Sequence, residues 1–148
     1  MSPVAPACPV HLRATFLEEP RYVTLPAGER LYKFVSIPIV RQRIVASPWW
    51  IRQTAFDDLQ VRARRLDVPM RDLVRSQLAI AGEWNPGMDM VFIAVLSASV
   101  DAWEGRARSQ RVTLRDPQVV FTGGGLQLCA PGLTWLQIGV QFTGTIDR

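Results

Sequence analysis

The chain predicts an α+β fold, with an N-terminal strand and a helix pair followed by a mostly antiparallel C-terminal sheet. Three observations carry this. Arg30-Leu31-Tyr32-Lys33-Phe34-Val35 alternates polar and apolar residues, the period of a half-buried strand. Ile51, Ala55, Leu59, Ala63 and Leu66 recur at the spacing of a single helical stripe. From Met90 onward the chain consists of short β-rich runs broken by Gly, Pro and Ser, and helices followed by consecutive strands are the α+β pattern.

The elements follow in order. Residues 1–20 form a Pro-rich arm with one extended piece at 12–17, and residues 21–148 form a single domain. Tyr22-Val23-Thr24-Leu25 reads as a short edge strand that ends at the turn Pro26-Ala27-Gly28. Ser47 suits a helix N-cap and Pro48 the first turn, which predicts a helix through Trp49 and Trp50 to Leu66, broken by Asp67 to Pro69. A second helix is expected from Met70 to Ala81, closed by Gly82. Met90–Leu96 is a strong strand, and Val100–Gly105 reads as a turn or short helix. Strands are expected at 112–114, 118–122, 126–130 and 133–142, some joined in hairpins. No internal repeat or low-complexity segment is present.

At 148 residues the chain is long enough for one well-packed core, and an apolar share of 48% fits a folded globule. No run is apolar for long enough to span a bilayer, so no membrane partner is expected. Met1 to Val10 holds three prolines and no basic stretch, unlike a secretory signal. A cytoplasmic protein is expected, or an effector delivered without a visible signal peptide. Cys8, Cys129 and His11 are the only residues of their types, too few for a zinc site or a His-based hydrolase. The two cysteines leave open a disulfide or, for Cys129, a small buried hydrophobe. Sixteen arginines and one lysine against thirteen acids give a net charge of +4. That excess favours anionic partners; without an aromatic-flanked basic strand, a small phosphate-bearing ligand is expected ahead of nucleic acid.

Gly123-Gly124-Gly125-Leu126-Gln127-Leu128 is the most informative segment. Three glycines let backbone approach a ligand or another segment closely, and a glutamine at the mouth of such a turn can hydrogen-bond a sugar. On local physics alone it reads as a glycine-rich hairpin. Gly28-Glu29-Arg30-Leu31-Tyr32-Lys33, Ser47-Pro48-Trp49-Trp50, Trp84-Asn85 and Ala102-Trp103-Glu104-Gly105-Arg106-Ala107-Arg108-Ser109-Gln110 precede it along the chain. In that order, over residues 25 to 140, these motifs resemble the ADP-ribosyltransferase and NAD-glycohydrolase toxin superfamily, whose members split NAD at the nicotinamide–ribose bond.

The resemblance implies a site. Lys33 matches the strand position where the superfamily usually has a phosphate-binding arginine; lysine keeps the charge and loses the bidentate fork. Arg30 is an alternative fork, although residues three apart on a strand face opposite sides. Tyr32, Ser47, Trp49, Trp50 and Gln110 are the candidates for nicotinamide, ribose and adenine. On local physics the two indoles read first as packing residues and Gln110 as a brace for the sheet. Gln127 stands in place of the late catalytic carboxylate, keeping its hydrogen bonds without its charge, which favours hydrolysis over ADP-ribosyl transfer. Glu104 is a spare carboxylate. The resemblance thus implies an NAD-cleaving toxin or effector domain, with NAD as substrate, no further cofactor and a cognate inhibitor protein in its producer. The absence of arginine at position 33 and of glutamate at position 127 keeps a second reading open, a binding or assembly module of the same α+β shape.

Overall fold

The computed structural model describes residues 7–80, 85, 87–113 and 116–146, with backbone only for residues 111–113 and 116–120. The first six residues of the Pro-rich arm, Ala81, Gly82, Trp84 and Leu114 lie outside the described residues, but the second helix, expected to run to Ala81, already ends at Leu78, where Ala79 takes the left-handed conformation and breaks it.

The fold is α+β. A one-turn helix α1 (Val10–Arg13) leads into β1 (Arg21–Leu25) and β2 (Arg30–Val35). Helix α2 (Arg41–Ala46), strand β3 (Trp49–Arg52) and helices α3 (Gln53–Leu66) and α4 (Met70–Leu78) follow. The remainder is β4 (Met90–Leu96), β5 (Val100–Arg106), β6 (Gln110–Thr113), β7 (Asp116–Phe121), β8 (Leu126–Cys129), a 3-10 turn at Trp135–Gln137 and β9 (Ile138–Thr145). Seven strands form one sheet in the order β1-β5-β8-β3-β2-β4-β9, and every neighbouring pair is antiparallel. β6 and β7 form a separate two-stranded ribbon.

β3 is the seam. Its first two residues pair with β8 (Trp49 with Cys129, Trp50 with Leu128), and its last two pair with β2 (Ile51 with Tyr32, Arg52 with Leu31). The sheet therefore consists of two halves that share one four-residue strand. Leu31, Trp50, Phe92, Ala94, Ala102 and Leu128 lie in one core cluster that crosses the seam. On the opposite face, α3 and α4 cover Tyr32, Phe34, Ile51 and Val91 in one half. In the other half Cys8, Leu12 and Phe16 of the N-terminal arm pack against Trp49, Trp103 and Cys129.

Several expectations change. Trp49 and Trp50 lie in a strand, not a helix, because they link the two half-sheets, and α3 starts at Gln53 with no side-chain cap. Ser47 instead follows the last turn of α2, its N–H bonded to Arg43 O at 3.2 Å. Val100–Arg106 is a strand whose buried residues, Val100, Ala102 and Glu104, recur with period two. A buried glutamate and a glycine disguised that alternation. The glycine triplet joins no hairpin, since β7 pairs with β6 while β8 pairs with β5 and β3. The strand expected at 133–142 begins only at Ile138, after a turn closed by Gln137 N to Thr134 O (3.1 Å) and Thr134 N to Gln137 Oε1 (2.6 Å). The piece expected to be extended at 12–17 starts in α1 and makes a single bridge, Phe16 to Ala107.

Candidate functional site

Beyond Tyr32 the strand β2 continues without a partner on its β3 side, and the halves of the sheet separate. The gap is a cleft of about 1180 Å³. Its walls are the end of β2 with the 36–47 segment, Trp49 and Trp50, the end of α4, the residues between β5 and β6, the arm at Ala14 and Thr15, and Gln127.

Of the residues singled out from sequence, Gln127, Lys33, Tyr32, Ser47, Trp49, Trp50 and Gln110 all line this cleft. Arg30 does not. It opens β2 as an exposed residue, with its guanidinium carbon 5.8 Å from the centroid of the Phe142 ring, and does not line this cleft, so it is no phosphate fork for it. Glu104 is also elsewhere. It is buried between Arg21 (3.2 Å) and Arg52 (3.6 Å), and Arg52 also holds Glu29 at 2.6 Å. This carboxylate braces the sheet and does not line the cleft.

Lys33 is 6% exposed, its Nζ donating to Ser47 O at 2.7 Å and standing 4.5 Å from the centre of the Trp50 ring. Burial lowers its pKa to about 7, a fall that the nearby Cys129 opposes. The Cys129 thiol, by the same desolvation, is pushed up to about 12 and stays protonated. The Trp50 indole N–H is buried without an acceptor among the described residues. Such an orphan donor costs about 1–3 kcal/mol until something accepts from it. Tyr32 stacks on Phe56 at 4.3 Å, which fixes the helix-side wall. Gln127 is 9% exposed, its Nε2 3.5 Å from Thr15 O.

The structure adds two cations that the sequence did not single out, Arg43 and Arg108, both exposed and both lining the cleft. Arg108 stood inside a motif quoted for its order, and Arg43 was one arginine among many; only the fold aims both at one gap. With Lys33 they make three cations, and among the described lining residues there is no Asp or Glu. Asn85 joins the wall too, bonded to Phe34 O at 2.9 Å and to the Ser36 hydroxyl. A cleft with cations, indole faces and primary amides but no carboxylate suits an anionic, aromatic ligand. Among the described residues no cluster of three His, Cys, Asp or Glu stands ready for a metal ion, and no helix is long and apolar enough to cross a membrane.

The glycine triplet sits directly behind this site. The Gly123 and Gly125 N–H groups donate to Ser76 O (2.9 Å) and Gln77 O (2.7 Å) in the last turn of α4, while Gly124 N donates to Ala107 O (2.8 Å). Those helix-end carbonyls have no partner within α4 itself. The glycines thus bring β8 against another segment of the same chain.

No protein-family model and no curated protein matches the sequence. Solved structures do match. One is the structure of "Rhs1-CT in complex with cognate immunity protein RhsI1", with a TM-score of 0.60 at 16% identity, over 90% of this chain and 86% of that one. Another is "Tne2 in complex with Tni2", with a TM-score of 0.57 at 12% identity, over 87% and 93%. At such identities the likeness is one of fold, and it extends over nearly the whole of each chain.

Proposed function

We propose that this domain cleaves the nicotinamide–ribosyl bond of NAD as a toxin or effector, with hydrolysis favoured over ADP-ribosyl transfer. The observation that carries the reading is the cleft's chemistry: three cations, two indoles and three primary amides, without a described carboxylate. A dinucleotide presents two phosphates, two aromatic bases and two riboses, and each has a counterpart there. The ordered sequence motifs support the same reading, since seven of the nine residues drawn from them line one cleft, Arg30 and Glu104 being the exceptions. The structural neighbours support the toxin part, because one is named with a cognate immunity protein. An equivalent inhibitor is proposed for this chain.

Lys33, with Arg43 and Arg108 at the rim, would hold the diphosphate. A phosphate beside Lys33 raises its pKa again, because an opposite charge favours the ammonium. Trp49, half-buried, offers an indole face to nicotinamide, and Gln127 orients the adjoining ribose. In the reaction the C1′–N bond breaks, nicotinamide leaves neutral with the bonding pair, and C1′ becomes oxocarbenium-like. A water oxygen then bonds to C1′ and its proton passes to solvent, giving ADP-ribose, nicotinamide and one proton. With an amide at position 127 the transition-state cation gains a dipole's stabilisation only, a weaker electrostatic contribution than a carboxylate would supply.

The test is nicotinamide release from NAD by the purified chain, with Gln127→Ala and Lys33→Ala in parallel. Release that both changes reduce at least tenfold is the expected result. A folded wild-type protein that releases none at high concentration overturns the hydrolase and returns the domain to the class of binding modules.

A further inference from the structure

Gln127 is held from behind by the N-terminal arm. Gly105 pairs directly with Gln127 across β5 and β8, so a side chain there would stand beside the glutamine on the same face of the sheet. With none there, Phe16 fills the notch. A Cβ on Gly105 would lie 2.9 Å from Phe16 Cδ1, too close for contact. Phe16 is 1% exposed and packs edge-on against Trp49, with ring centroids 5.7 Å apart. Backbone bonds clamp the arm on either side: Arg108 N to Thr15 O at 3.0 Å and Leu17 N to Arg106 O at 2.9 Å. An ion pair between Glu18 and Arg106 adds to them.

We infer that residues 14–17 are a positioning strap that sets the orientation of the Gln127 amide and suspends Arg108 at the cleft rim. Thr15 O lies 3.5 Å from Gln127 Nε2 and also receives the Arg108 N–H. A carbonyl can only accept, so it selects the rotamer in which the amide nitrogen faces the strap. The Oε1 atom is then the one presented to substrate, as an acceptor for a ribose hydroxyl. The same contact explains why the position carries glutamine. A glutamate would set carboxylate lone pairs against the Thr15 carbonyl, in a site where burial magnifies the repulsion. The strap is therefore a specificity device for the amide at position 127. Its catalytic consequence rests on the NAD-cleavage reading.

The experiment has two arms. In the first, nuclear Overhauser contacts from the Gln127 Nε2 hydrogens, assigned by their loss in Gln127→Glu, are sought to Thr15 and Phe16 in the wild-type chain. Contacts to both are expected; their absence overturns the strap whether or not the protein is an enzyme. In the second, nicotinamide release is measured for Phe16→Leu and Phe16→Ala, each made in the wild-type chain and in the Gln127→Glu variant, with folding checked by circular dichroism. In the wild-type background, loosening the strap should lower kcat about tenfold to a hundredfold with KM raised no more than about fivefold, the change expected for loss of Arg108, and Leu should retain more activity than Ala. In the Gln127→Glu background, the same changes should raise kcat, because they remove the repulsive carbonyl. Equal losses in both backgrounds reduce the arm to a structural brace and overturn the inference. Should Phe16→Ala fail to fold, Phe16→Leu carries the comparison. A wild-type protein that shows the contacts and releases no nicotinamide refutes the enzymatic reading and leaves the strap's geometry established.

Discussion

The Lys33 ammonium lies against the Ser47 carbonyl and the Trp50 ring, and burial draws its pKa from an ordinary 10.5 to about 7. Between those values the unfolded chain binds a proton that the folded chain does not. Stability therefore rises with pH across the window from about 7 to 10.5, and the penalty for burying the charge is complete below it. Replacing Lys33 with Met should remove that slope. Each pKa unit is worth about 1.4 kcal/mol and the lost bond to Ser47 about 1 kcal/mol, so Lys33→Met should be more stable than wild type at pH 6 by about 2 kcal/mol or more. The advantage should shrink towards pH 10, as urea melts at the two pH values would show. Under the proposed function the same variant should lose NAD affinity, an opposition of stability and function expected at a ligand site. Arg43→Ala and Arg108→Ala test the rim. Exposed charges contribute about 0.5–1 kcal/mol to binding, so each should raise KM for NAD about two- to fivefold and leave kcat unchanged, with the effect fading at high salt.

Among the elements, the connector into β8 is the one whose glycines differ in kind. Gly125 has no room: a Cβ there would stand 2.7 Å from Gln77 O, a backbone atom that cannot swing away. Gly124 has φ +91° and open space around it. Gly124→Ala therefore meets only the left-handed backbone cost, about 1–2 kcal/mol. Gly125 is not in the left-handed region and carries no such cost; its alanine must instead push β8 off the end of α4, with about 1–3 kcal/mol expected for the overpacking and a further loss of the bond to Gln77. Thermal melts should rank Gly125→Ala as the less stable of the two, and Gly125→Ala should also move Gln127, two residues on. Equal losses would mean that the close approach at Gly125 costs no more than the left-handed backbone at Gly124. This segment illustrates how far local signals reach. The glycines announced a close backbone approach, yet nothing within residues 118–128 names α4 as the surface approached. β2 and β4 were legible from alternation and apolar runs because each is long and regular. β3 was not, because four residues ahead of an amphipathic helix read as its first turn.

For the molecule as a whole, the decisive feature is a sheet whose halves meet through β3. Glu29, Arg52, Glu104 and Arg21 pin that junction with ion pairs of 2.6, 3.6 and 3.2 Å. Arg52 is half-buried, and its hydrogen bond to Glu29, reinforced by Glu104, holds its pKa above the ordinary value. Arg52→Met should leave the buried Glu104 with Arg21 alone, a largely exposed partner. The expected cost is about 2–4 kcal/mol, read from chemical denaturation, and Glu104→Gln should cost less because the two arginines it releases are better solvated. A loss under about 0.5 kcal/mol would show that the apolar core alone holds the halves together.

Composition, periodicity and the spacing of turn residues were enough to determine the class of fold, the two long helices and the strands Arg30–Val35 and Met90–Leu96, since these depend on which faces of a local segment are apolar. The order of motifs also marked seven cleft residues scattered between positions 32 and 127. Tertiary structure alone decided that Arg30 turns outward, that Glu104 is structural, that Arg43 and Arg108 enter the cleft and that the arm braces Gln127. The reason is physical. Strand partnership, burial of a charge and convergence on a cavity depend on contacts between segments as far apart as Thr15 and Gln127, and local sequence patterns do not encode which distant surface a segment will meet.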